Sequence, residues 1–346
     1  MANYLVTGGC GFIGSHLADT LIERGHAVRI LDDMSTGHIE NKPPAAELLV
    51  GDVSDSRAVA QAMHGMDGCF HLAAVASVER SNLDWSGTHR TNLSGSVTVF
   101  DAARRANPRF PVPVVYASSA AVYGDNLNVP LHETSAPCPL SAYGADKLGS
   151  EQHGFVAGHV HGVPTCGLRF FNVYGPRQDP TSPYSGVISI FCDRLKAGRG
   201  IVIFGDGSQS RDFVFVGDVI RALLAAMKHA TTGGRIYNVC TGRPTTILGL
   251  AEAIARTLGK TTEITFVPPR QGDIRVSLGD PAKARGGIGF EACTSLSEGL
   301  RRMLLPIRSL PIAPEMGRFR ESTSLPDPST LRRAIEADWR AQPRVG

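Results

Sequence analysis

A chain of 346 residues, 42% hydrophobic and 19% charged, has enough apolar side chain for a large core and excludes a disordered or fibrous protein. Its formal net charge of +3 arises from mixed-sign residues without long basic runs, which excludes a nucleic-acid footprint and confines any anionic partner to a small local site. Seven scattered cysteines (Cys10, Cys69, Cys138, Cys166, Cys192, Cys240, Cys293) contain no C-x-x-C pair for zinc or redox work, so buried thiols in a reducing cytoplasm are expected.

The first apolar run, "YLV" at residues 4–6, is too short for a signal peptide or a membrane span. It passes into "TGGCGFIG" and a helix on which Ile13, Leu17 and Leu21 recur every four residues. Strands are expected at "AVRIL", "ELLVGD", "GCFHLAA" and "VPVVYASS", with a helix over 88–106. This alternation predicts an α/β fold with a Rossmann doubly wound parallel sheet over 1–172 and returning segments near 213–240. After Gly175, proline and glycine punctuate strands at "GIVIF", "DFVFV", "RIYNV" and "EITFV" and helices near 186–197, 218–229 and 247–258. These predict a smaller C-terminal α/β substrate lobe, 173–305, interleaved with the first. The tail, 306–346, has little periodicity until Leu331, Ile335 and Trp339 line a short helix behind "DPST"; no chemistry is assigned to it.

Within "VTGGCGFIG", Gly8, Gly11 and Gly14 follow the first strand and open the first helix. Glycines let a backbone approach a pyrophosphate, and a helix N-terminus, here at Phe12 and Ile13, offers unpaired N–H donors. Asp32, at the end of the second strand and 18 residues beyond Gly14, is where a carboxylate takes the adenosine ribose hydroxyls. A carboxylate there repels a 2′-phosphate, so NAD is expected over NADP. Asp52 and Val53 of "GDVSD" are expected at the adenine, Leu72, Ala73 and Ala74 of "HLAA" against the cofactor, and Asn92 with the same set.

"YGADK" places Tyr143 and Lys147 four residues apart, hence on one helix face. An ammonium beside a phenol favours its ionised form and moves it toward service as a base. "SSAAVYG" at 118–124 sets two hydroxyls, Ser118 and Ser119, at a strand end before two alanines, with Ser119 24 residues ahead of the tyrosine.

The motifs "TGGCGFIGSHL", "LDD", "GDVSD", "HLAA", "SSAAVYGD", "SAYGADK", "LRFFNVYGPRQ", "FGDGSQSRDFVFVGDV" and "RQGDIRVSLGD" fall in order along the chain. Together they resemble the extended short-chain dehydrogenase/reductase family, specifically its NAD-dependent nucleotide-sugar epimerases and dehydratases. The resemblance runs from about Tyr4 to about Met303 and does not include the tail.

It implies that Tyr143, held with Lys147, removes the proton of a sugar C4 hydroxyl while hydride passes to NAD, and that Ser119 bridges that hydroxyl. Ser118 is expected behind Ser119 or sharing its role at the substrate. Dehydratases and decarboxylases of the family carry an acid just after the bridging hydroxyl. Ala120 and Ala121 can do no acid–base work, which leaves oxidation followed by re-reduction, the 4-epimerase pattern.

The resemblance further places Asn172, Arg211 and Arg270 on the diphosphate of a UDP-sugar and Asp273 on the uridine ribose. Ser277 stands where a bulky residue restricts the pocket to plain hexoses, so N-acetylhexosamines are expected to fit. A glucuronate 4-epimerase would share the core, as would a dehydrogenase releasing its product. No metal is expected. A cytoplasmic homodimer is implied, built on the helices near 88–106 and 142–160.

Overall fold

Strands rich in Val, Ile, Leu and Phe with no polar face suit a sheet covered on both sides. The computed structural model describes residues 1–107, 110–179, 186–270 and 273–305. Its first half runs β1 (Asn3–Thr7), α1 (Phe12–Glu23), β2 (Ala27–Asp32), β3 (Glu47–Val50), α2 (Ser56–Met63), β4 (Gly68–His71), α3 (Val78–Leu83), α4 (Trp85–His89), α5 (Gly95–Ala106), β5 (Val114–Ser119), α6 (Ala142–His161) and β6 (Thr165–Phe170). The second half runs β7 (Asn172–Tyr174), α7 (Val187–Lys196), β8 (Ile201–Phe204), β9 (Ser210–Phe215), α8 (Val216–Lys228), β10 (Arg235–Val239), β11 (Pro244–Thr246), α9 (Ile247–Leu258), β12 (Ile264–Val267), β13 (Val276–Ser277), α10 (Ala282–Ile288) and α11 (Leu296–Leu304). The amphipathic stretch at Leu331, Ile335 and Trp339 lies outside the described residues.

Seven strands form one parallel sheet in the order β10-β6-β5-β4-β1-β2-β3, with helices over its faces. The strand order reverses between β1 and β4, which opens a crevice at the carboxyl ends of the strands, where doubly wound sheets receive ligands. β9 is the hub of a second sheet, with β11 antiparallel and β13 and β7 parallel to it; β12 and β8 pair separately. Phe191, Ile203, Phe213, Leu250 and Ile254 fill the core beneath them.

Two expectations are refined. The stretch 88–106 is not one uniform helix: α4 gives way to a π-helical turn, Arg90–Ser94, before α5, because the Asn92 side chain is drawn to the backbone of Val75. Of the segment near 213–240, α8 and β10 do return, α8 against α1 and β10 onto the edge of β6. Residues 213–215 stay in the small sheet, where β9 pairs with β7 in the register Asn172–Phe213.

Helix α6 sets the site. Ser141 caps it by accepting from the Gly144 amide at 3.1 Å, and Gly162 ends it in the left-handed region. Its glycines allow close approach to the sheet: a Cβ at Gly154 would stand 2.6 Å from the Tyr116 hydroxyl. No described helix is long and apolar enough to cross a membrane.

Candidate active site

On the cofactor side, Gly8 adopts φ +70° and lies so close to β4 that a Cβ there would sit 2.8 Å from the Ala73 nitrogen. A Cβ on Gly14 would run into the Gly8 carbonyl. The first intrahelical bond of α1 is Ser15 N–H to the Gly11 carbonyl, so the amides of Phe12, Ile13 and Gly14 precede it without an intrahelical acceptor. Asp32 is 6% exposed and accepts from the Cys10 and Met34 amides at 2.9 and 3.0 Å; burial raises its pKa while those two bonds hold it down.

Behind this loop, His71 joins β1 to β4. The Thr7 hydroxyl oxygen accepts from the Leu72 and Ala73 amides, so its proton goes to His71 Nδ1 at 2.8 Å, and His71 Nε2–H is left to donate to Ser96 at 3.1 Å. Burial, and then the Lys147 charge, push the His71 pKa down to about 3, so the ring is neutral. The strand end Leu72-Ala73-Ala74 is thereby pinned from beneath.

On the catalytic side, Tyr143 and Lys147 project from the first turns of α6 and Ser119 ends β5. Ser119 Oγ accepts from the Ala121 amide at 3.1 Å as the cap of a 3-10 turn, Ala120–Tyr123, and its hydroxyl neighbours the Tyr143 phenol, where it lowers the phenol pKa. Lys147 Nζ lies 5.8 Å from the Tyr143 ring centroid and donates to the Ala117 carbonyl at 2.8 Å. The side chains at 120 and 121, immediately beyond Ser119, are methyl groups.

Burial raises the Tyr143 pKa and the neighbouring Ser119 hydroxyl opposes that rise. Lys147 is itself buried, its pKa lowered to about 8 by desolvation.

On β9, Arg211 is anchored by Nη1 to the Ser210 and Ile274 carbonyls at 2.9 and 2.6 Å and by Nη2 to Asp273 at 2.5 Å. Ser277 pairs with Arg211 across β13 and β9. Arg270 stacks 4.0 Å over the Phe204 ring, and both line an open cleft of about 790 Å³ with Gln209, Phe266, Asp273 and Arg275, which the Ser119, Tyr143 and Lys147 side chains do not line. Asn172 is exposed at the start of β7.

Comparison with known proteins decides the family. The profile of the NAD dependent epimerase/dehydratase family matches residues 4–240. The chain belongs to that family. It is 40% identical over 305 residues, 86% of this chain and 96% of the relative, to a UDP-glucose 4-epimerase of Mycolicibacterium smegmatis. Two solved structures are similar: the UDP-N-acetylglucosamine 4-epimerase of Methanobrevibacter ruminantium in complex with UDP-N-acetylmuramic acid (TM-score 0.83, 35% identity, 88% of this chain and 97% of that one) and the Thermus thermophilus UDP-glucose 4-epimerase complex with NAD (TM-score 0.80, 35% identity, 87% and 97%).

In this epimerase/dehydratase chain the fold settles the side-chain partners of three expected site residues. Asn92 is buried and spends its side chain on the Val75 amide and carbonyl, so it holds the exit of β4. Val53 packs its side chain against Gly95, which leaves Asp52 as the more open of that pair. Ser118 is 1% exposed and donates to Glu151, the first of the two positions expected for it.

Sequence reasoning missed Phe204 and Arg275 in the cleft, and Thr7, His71, Glu151 and Arg169 beneath the site. A signal was present for the last two: an arginine inside the apolar strand "GLRFF", and a glutamate four residues beyond Lys147 on the same helix face.

The buried ammonium gives a pH signature. Its folded pKa lies below the unfolded one, so between about pH 8 and 10.5 the unfolded chain binds more protons and stability rises with pH. Urea unfolding of wild type against Lys147→Met across that window should show the wild type gaining roughly 3 kcal/mol relative to the variant. A difference flat with pH would mean that Lys147 is not desolvated in the folded state.

Proposed function

We propose that this chain is an NAD-dependent 4-epimerase of a UDP-hexose, acting on UDP-glucose/UDP-galactose and on UDP-GlcNAc/UDP-GalNAc. The observation that carries the reading is the Ser119–Tyr143–Lys147 cluster beside a dinucleotide loop, with methyl groups at 120 and 121 where elimination would need an acid.

The residues fit an NAD. The Gly8 and Gly14 cradle would be filled by any Cβ, the α1 amides suit a pyrophosphate, and Asp32 suits a ribose without a 2′-phosphate. When bound, the nicotinamide supplies a hydride acceptor that becomes the donor, together with a positive charge in its oxidised form. Tyr143 takes the proton of the sugar C4 hydroxyl and later returns it. Ser119 orients that hydroxyl and shares the hydrogen bond with the phenol. Lys147, fixed to Ala117, holds the adjacent ribose.

Arg211 keeps its Nε–H and one Nη2–H beyond the three bonds above, enough for phosphate oxygens, and Asp273 steadies it while meeting the uridine ribose. Arg270 and Asn172 complete the diphosphate grip. The small side chain of Ser277 leaves room for a 2-acetamido group. The protein works in the cytoplasm as a homodimer: α5 and α6 expose Val97, Phe155, Val156 and Val160, an apolar stripe fitted to a second copy.

Proton NMR of the anomeric signals should show C4 epimers from UDP-glucose and from UDP-GlcNAc when each is given to the protein with NAD. Tyr143→Phe should lower turnover by about 10²–10⁴-fold with the fold and NAD binding intact. Ser277→Tyr should lose the N-acetylhexosamine reaction and keep the hexose one. Conversion of UDP-glucuronate alone would replace the substrate assignment. Light scattering at micromolar concentration should give a dimer, and Val156→Glu a monomer; a monomeric wild type would refute the assembly.

A further inference from the structure

Successive residues of a strand face opposite ways, and the two serines that end β5 do so. Ser119 faces Tyr143. Ser118 faces the interior and donates to Glu151 Oε1. Glu151 stands four residues beyond Lys147 and eight beyond Tyr143 on the inward face of α6. It is itself immobilised, because Arg169 on β6 grips it with two bonds, Nε to Oε1 at 2.8 Å and Nη2 to Oε2 at 2.7 Å, and both side chains are buried.

Arg169 is fixed in turn, stacked 4.7 Å over the Tyr123 ring and donating to the Glu133 carbonyl. The Tyr123 hydroxyl donates to Asn238 on β10, whose amide donates to Glu133 at 2.7 Å. The end of β5, the inner face of α6, β6, β10 and the turn after Ser119 therefore share one buried polar network.

We propose that Ser118 and Glu151 are a positioning pair: their hydrogen bond sets the register of α6 against the end of β5 and so keeps the Ser119 hydroxyl on the Tyr143 phenol. The role rests on the 4-epimerase reading. The Lys147 bond to the Ala117 carbonyl ties α6 to β5 just short of Ser118, and the Glu151–Arg169 salt bridge ties α6 to β6. Ser118 extends that clamp to the residue beside Ser119, and small displacements of reacting groups are costly to rate.

The chemistry separates this role from simple packing. The Ser119 hydrogen bond opposes the burial that raises the phenol pKa, so a looser Ser119 should move the acid limb of the kcat profile to higher pH. The other charged and titratable groups around α6 have settings that Ser118→Ala does not touch. Lys147 is bound to Ala117, and Asp146 to His89 of α4. His71 of β4 is neutral, Tyr116 and Tyr123 are held well above neutrality, Arg169 stays charged, and Glu79 and Arg80 lie on α3. Glu151 keeps both Arg169 bonds in that variant, so no buried charge is orphaned.

The test is kcat, KM and their pH dependence for wild type, Ser118→Ala, Ser119→Ala and the double variant, with thermal midpoints for each. Ser118→Ala should lower kcat by about 10–100-fold, leave KM within about twofold and shift the acid limb upward. Adding it to Ser119→Ala should cost nothing further, because its effect passes through Ser119. Wild-type kcat with an unmoved pH profile, or losses that multiply in the double variant, would overturn the role. A wild type inert on every UDP-sugar would overturn the epimerase reading itself, and this role with it.

Discussion

One buried hydrogen bond governs the site: the Lys147 ammonium donating to the Ala117 carbonyl. It places α6 across the carboxyl end of β5 and brings the Tyr143 phenol to the Ser119 hydroxyl. The sequence around it lowers the steric barrier to that approach, since Gly144, Gly154 and Gly158 line the same helix and each would collide with neighbouring backbone or side chain if it bore a Cβ. Desolvation opposes the arrangement, and the Ala117 carbonyl accepts the ammonium's hydrogen bond in its place of burial.

The same economy recurs around the crevice. Asp32, His71, Glu151, Arg169 and Asp212 are all buried, and each is satisfied by named partners. Asp212 accepts from Thr241 and Gly242 and so closes the turn after Cys240 onto β9, the strand that carries Arg211. Such groups contribute little net stability against an apolar replacement of equal shape. What they fix is geometry: Asp32 and His71 end β2 and β4, Arg169 stands one residue from the end of β6, Asp212 lies within β9, and Glu151 on α6 reaches the end of β5 through Ser118.

Much of this could be read from residues alone. Strand and helix periods are local, so the parallel sheet, its glycine loop and the Tyr143–Lys147 face were legible. The departures come from what a linear pattern does not encode. Asn92 has the composition of a polar helix residue, and only the fold shows it spent on Val75, at the cost of a π turn. Ser118 and Ser119 are chemically identical, and strand alternation against a particular neighbour separates them. The tyrosine pKa depends on burial and on the neighbouring Ser119 hydroxyl, neither of which a four-residue spacing encodes. Arg211 and Asp273, 62 positions apart, form an ion pair that motif order alone did not reveal.

The central claim is that the sugar is oxidised and reduced at the same carbon within one site, without acid-assisted elimination. It is tested most directly by giving the protein UDP-glucose bearing deuterium at C4, in ordinary water with NAD, and following the label in the UDP-galactose formed. The account predicts deuterium retained at C4. Loss of that label to solvent would contradict it.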